Sequence, residues 1–134
     1  MHIVEIEDIF DCSIEKIWDL VTNLDNQLWR KGIKAIEVLD ENHFIEHDTS
    51  GYSTSFVITN KFKGNIYEFD IENQNMKGHW IGKFLIINDN QVKIHFTESI
   101  EVHNKLMNMV AKSYLKKQQK QYIHDLKEVL EVKI

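Results

Sequence analysis

The chain has 134 residues and a mass of 15.9 kDa, enough for one domain with one continuous core and little for a second, so 1–134 is read as a single domain. Its formal charge of -5 argues against a binder whose affinity comes from neutralising phosphates, so no nucleic-acid partner is expected. With 43% hydrophobic and 28% charged residues it is not a disordered chain, and apolar runs no longer than Phe84-Leu85-Ile86-Ile87 predict no membrane span.

The opening residues Met1-His2-Ile3-Val4-Glu5-Ile6-Glu7 have neither a basic nor an apolar block, so no secretion signal is expected. Residues 2–10 alternate, with His2, Val4, Ile6, Asp8 and Phe10 on one face, and predict a strand. Cys12, the one cysteine, fits a reducing cytoplasm. Ser13 reads as an N-cap with Glu15 near the positive helix end, opening a short helix through Ile14, Ile17, Trp18 and Val21. A second short helical or turn segment is expected around Leu24, Leu28 and Trp29.

After Gly32 the period becomes two. Strands are predicted over 33–39, 43–48, 52–62, 66–72, 76–87 and 91–102, separated by turn clusters such as Lys63-Gly64-Asn65 and Asn88-Asp89-Asn90. Tyr52, Thr54, Phe56, Ile58 and Phe62 fall on one side of the third of these, and Tyr67, Phe69 and Ile71 on one side of the fourth. Short turns between successive strands make an antiparallel meander. From His103 to Glu131 neither glycine nor proline interrupts, and Met107, Val110, Ala111, Tyr114, Leu115, Tyr122, Leu126 and Val129 form one stripe of an amphipathic helix, roughly 40 Å long at 1.5 Å per residue. Residues 103–134 hold seven lysines against three carboxylates, +4 against -9 for the first 102. Fifteen of the sixteen basic residues are lysine and proline is absent, a bias expected of an AT-rich bacterial genome.

These elements predict an α+β fold: a curved seven-stranded antiparallel sheet wrapped around a long C-terminal helix, with two short helices between strands 1 and 2. A sheet bent around so long a rod leaves a space between them, and that space is the expected ligand pocket.

In Ser13-Ile14-Glu15-Lys16-Ile17-Trp18 the chain resembles the S-P-x-x-V-W opening of the START-like superfamily, the polyketide cyclase/dehydrase and lipid-transport group with the helix-grip fold. Asn26-Gln27-Leu28-Trp29-Arg30 is similar to that family's Y-P-x-W, and Gly78-His79-Trp80 with Val92-Lys93-Ile94-His95-Phe96-Thr97 to its last two strands. Ile14 and Gln27 stand where the family has prolines. The resemblance implies an internal hydrophobic cavity and carries over no catalytic residue.

Among residues that might carry chemistry, His43-Phe44-Ile45-Glu46-His47 reads H-x-x-E-H, a zinc-peptidase signature that requires a helix. On a strand its two histidines stand roughly 13 Å apart with the glutamate on the other face, so no metal and no cofactor are expected. Cys12 ahead of a helix N-terminus could carry a lowered thiol pKa. More informative are polar groups on apolar faces: Glu98 in the series Val92, Ile94, Phe96, Glu98, Ile100, Val102; Asp8 on the first strand; Gln118 and Gln121 on the long helix. A buried carboxylate needs a partner, water or a ligand.

The residues read as ligand-binding are therefore Phe56, Trp80, Phe96, Glu98, Tyr114, Gln118 and Tyr122. The partner expected is a hydrophobic or amphipathic small molecule, such as a lipid, an aromatic or a polyketide-like compound. Two alternatives remain. One is a cyclase/dehydratase-type enzyme with Glu98 or Asp8 as base and a tyrosine or His79 as acid. The other is a protein-interaction module presenting the basic face at Lys112–Lys120.

Overall fold

The computed structural model describes residues 1–131; Val132, Lys133 and Ile134, and with them one of the seven C-terminal lysines, lie outside the described residues. The elements run β1 (His2–Phe10), α1 (Ile14–Thr22), β2 (Ile33–Asp40), β3 (His43–Asp48), β4 (Ser53–Phe62), β5 (Ile66–Glu72), β6 (Met76–Asn88), β7 (Gln91–Val102) and α2 (Lys105–Leu130). Alternation in the sequence located every strand to within one residue at each end. The seven strands form one sheet in the order β1-β7-β6-β5-β4-β3-β2, antiparallel at each pairing. The meander is closed by β1 returning beside β7, and α2 is gripped by the sheet. Among the described residues no helix is long and apolar enough to cross a membrane.

The Ser13 hydroxyl accepts from the Lys16 N–H at 3.3 Å and caps α1 as expected. The second short helix is absent: residues 23–32 form successive turns instead. The cause lies in the polar side chains there, which divert the backbone. Asn23 Oδ1 accepts from the Asp25 N–H at 3.0 Å, and Gln27 Nε2 donates to the carbonyls of Leu20 and Asn23 at 3.0 and 2.8 Å.

Two faces also differ from expectation. A bulge in β4 between Ile58 and Asn60 shifts the register by one residue, so Phe62 is turned outward while Phe56 and Ile58 stay buried. On α2 the buried row is Ala111, Leu115, Gln119, Ile123, Leu126 and Leu130, while Met107, Val110, Tyr114 and Val129 are exposed. The helix packs chiefly against β1 and β7 at one side of the sheet, so the flank carrying Tyr114 and Gln118 is not pressed onto strands. Val110 stands beside Leu106 on an outer row, parallel to a row of exposed Lys112, Lys116 and Lys120.

One part of the core lies where α1 sits. Phe10, Ile17, Val92, Ile94 and Leu126 are wholly excluded from solvent, and Trp18 meets Phe84 edge-on at 5.2 Å between centroids. Toward β3–β5 the filling gives way to a cavity.

Candidate functional site

The cavity holds about 340 Å³ between the inner face of the sheet, the turns at 24–33 and the free flank of α2. Its wall follows from strand alternation and register. Phe44 stands opposite Phe56, Phe69 opposite Trp80, and Trp80 opposite Glu98, all on the inner face. The rings form an unbroken chain: Phe44 stacks on Phe56 at 4.8 Å, Phe56 meets Phe69 at 5.2 Å, and Phe69 stacks on Trp80 at 4.8 Å. Trp80 then reaches Phe96 at 4.9 Å, and Phe96 meets Tyr122 of α2 edge-on at 6.0 Å. Gly82 makes room for this arrangement, since a Cβ at that position would collide with the Trp80 ring and press on Phe96.

All seven residues singled out from the sequence border this cavity. Phe56, Trp80 and Phe96 are buried wall residues. Tyr114 and Gln118 are exposed at the rim, with Gln118 Nε2 donating to the Tyr114 hydroxyl at 2.9 Å. Gln119, not Gln118, is the glutamine turned to the interior, where its amide donates to the Val4 carbonyl at 3.1 Å. Gln121 donates to Asp125 at 2.7 Å, and that buried carboxylate also accepts the Lys31 N–H at 2.8 Å.

One polar pair on the cavity wall was not singled out from the sequence. Arg30 holds Glu46 by two hydrogen bonds, Nη1 to Oε2 at 2.7 Å and Nη2 to Oε1 at 3.2 Å, and its guanidinium lies 5.2 Å from the centre of the Tyr122 ring. Burial pushes the Tyr122 phenol up to about 12, so it stays protonated. Tyr67 borders the cavity and is only 2% exposed, and its buried hydroxyl has no hydrogen-bond partner among the described residues. Burial raises its pKa as well. Glu98 likewise has no side-chain hydrogen bond or ion pair among the described residues. Burial, reinforced by the negative charge of Glu46 and opposed by Arg30, pushes its carboxyl up to about 7.

Other candidates lie elsewhere. Asp8 does not border the cavity; its carboxylate accepts from Lys127 Nζ at 3.2 Å and the Ile9 N–H at 2.8 Å. His79 follows the strand period to the outer face, opposite in sense to Trp80, where Asp70 and Glu68 hold its ring at 2.7 and 2.8 Å. It is thus removed from any role as an acid in the cavity. The H-x-x-E-H residues occupy β3, with Glu46 inward on Arg30 and His47 outward on Ser53 and Glu37. Burial, with Glu131 nearby, pushes the Cys12 thiol up, the reverse of activation.

Two signals for the missed pair were present. Arg30 is the sole arginine among the chain's basic residues, and its planar fork suits bidentate carboxylate pairing as lysine does not. Glu46 also shares a strand face with Phe44.

No family model matches the chain, and no curated protein matches it in sequence. Solved structures do match. A START superfamily protein from Mycobacterium smegmatis superposes with a TM-score of 0.86 at 12% identity over 98% of each chain. A conserved protein from Geobacillus kaustophilus gives 0.82 at 13% identity over 95% of this chain and 93% of its own. BexL, a di-domain ARO/CYC from the BE-7585A biosynthetic pathway, gives 0.76 at 8% identity over 96% of this chain and 47% of its own. These likenesses establish the fold: a START-like helix grip.

Proposed function

From the START-like fold and the chemistry of its cavity, we propose that the chain is a small-molecule binding protein. Its ligand has an apolar or aromatic body and one polar group. The body lies against the ring chain from Phe56 to Phe96, where burial of apolar surface supplies most of the affinity. The polar group reaches the end where Tyr67, Glu98 and the Arg30–Glu46 pair converge. The observation that carries this reading is that Tyr67 borders the cavity and its buried hydroxyl has no partner among the described residues. An unmet buried hydroxyl costs about 1–3 kcal/mol, a cost that a ligand supplying the missing hydrogen bond removes. The mixed character of the wall favours an amphipathic occupant over a plain hydrocarbon.

A bound ligand stabilises the folded state by mass action, by about 2.7 kcal/mol at a hundredfold excess over Kd, which for a chain this size raises the denaturation midpoint by roughly 10 °C. A panel of lipids, aromatic ketones and phenols should therefore contain members that raise the midpoint by several degrees. The same members should change tryptophan emission, a change that Trp80→Phe abolishes. A panel with no shift and no emission change would refute the reading.

A further inference from the structure

Resting on the reading of this cavity as a binding site, we propose that its ligand is an organic cation, an amine whose ammonium pairs with Glu98 against the aromatic wall. The charges on the cavity wall carry the argument. Its buried cation, Arg30, is already committed in both forks to Glu46. Lys31, at the rim, points its ammonium outward between Asp125 and Glu128, 4.0 and 3.5 Å away. A carboxylate ligand would thus find no free positive partner while facing Glu46, Glu98 and Asp125, all of which border the same cavity. A cation finds the opposite.

Glu98 supplies an unpaired carboxyl. Trp80 stands directly across from it in the β6–β7 register, and Phe96 lies two residues away on the same face with Tyr122 at 6.0 Å from its ring. Aromatic faces attract ammonium groups, more strongly when water is excluded. The oxygen of Tyr67 is free to accept one further N–H. Besides Glu98, the ionisable groups that border the cavity are Glu46 and Asp48 from β3, Arg30 and Lys31 from the turns, Tyr52 ahead of β4, Tyr67 from β5, and Tyr114, Tyr122 and Asp125 from α2. The flanking strands bring Ile6 from β1 and Trp80 from β6.

Pairing with an ammonium ionises Glu98. Its carboxyl, pushed up to about 7, gives its proton to solvent, and the amine enters already protonated. Affinity for an amine should therefore rise with pH up to neutrality, whereas a neutral ligand gains nothing.

Three eight-carbon probes that differ only in the head group separate the possibilities: octylamine, 1-octanol and octanoate, titrated by tryptophan emission and calorimetry at about pH 7.5. The expected order is octylamine tightest, by roughly tenfold over octanol, with octanoate weakest. Octylamine affinity should fall by roughly tenfold toward pH 5.5 with octanol unchanged, and Glu98→Gln should abolish the advantage of octylamine over octanol. Equal binding of all three probes, tighter binding of octanoate, or an amine advantage that survives Glu98→Gln would overturn the inference and leave the cavity reading standing. Failure of all three to bind would overturn both.

Discussion

Glu98→Gln should make the protein more stable at and above neutral pH and should flatten its pH profile. The carboxyl has an ordinary pKa of 4.5 and is pushed up to about 7 in the fold, first by burial and then by Glu46. Below 4.5 both folded and unfolded chains hold the proton, and the group contributes nothing to the pH dependence. Between 4.5 and about 7 the unfolded chain releases the proton while the folded one keeps it, so stability falls as pH rises. Above 7 the loss is complete, on the order of 3 kcal/mol from a shift of this size at about 1.36 kcal/mol per unit. Glutamine has nearly the same shape and cannot ionise. Urea denaturation from pH 4 to 8 should show variant and wild type converging at the acid end and separating toward neutrality, with the variant the more stable. A variant less stable than wild type at pH 8, or a profile of unchanged slope, would show that Glu98 is paired or solvated in the folded protein.

The second large effect concerns Arg30. Arg30→Met should cost about 3 kcal/mol, because it leaves the Glu46 carboxylate in a largely water-free wall with its bidentate partner gone. It also removes the guanidinium from the Tyr122 ring. Most of that cost is an uncompensated charge and not the worth of the pair itself, so Arg30→Met combined with Glu46→Leu should recover most of it. Arg30→Lys should recover little, since an ammonium cannot reproduce two parallel hydrogen bonds. Urea midpoints for the four proteins would decide the matter. A loss within about 0.5 kcal/mol for Arg30→Met would put the pair in the class of exposed ion pairs.

How much of this was legible in the sequence depends on the range over which each feature is determined. Strand alternation is local, so Phe56 falls with Ile58, and Phe96 with Glu98, on one face of its own strand before any strand pairing is known. The Ser13 cap and the length of α2 are local as well. The rotation of α2 is not. Its apolar positions form more than one row, and only the packing of β1 and β7 selects Ala111, Leu115 and Ile123 over Met107 and Val110. That rotation is also why Gln119 turned inward where Gln118 had been expected. The Phe62 reversal needed a bulge with no glycine to mark it. The absent second helix turned on where the Gln27 amide finds its acceptors. Arg30 and Glu46 meet across sixteen residues and a run of turns. The clue to them, one arginine among fifteen lysines, was read as compositional bias. The unpartnered hydroxyl of Tyr67 is a property of the assembled wall and leaves no mark in sequence.

The account stands on the cavity between sheet and α2 being where a small molecule binds. Amide and methyl NMR shifts recorded during titration with an amphipathic probe such as octylamine test this most directly. The predicted result is saturable change confined to the inner wall, at Ile6, Phe44, Tyr67, Trp80, Phe96, Glu98 and Tyr122, with Ile81, Thr97 and the other outward residues of the same strands unmoved. Saturable change on the outer face, or no saturable change at any site, would contradict it.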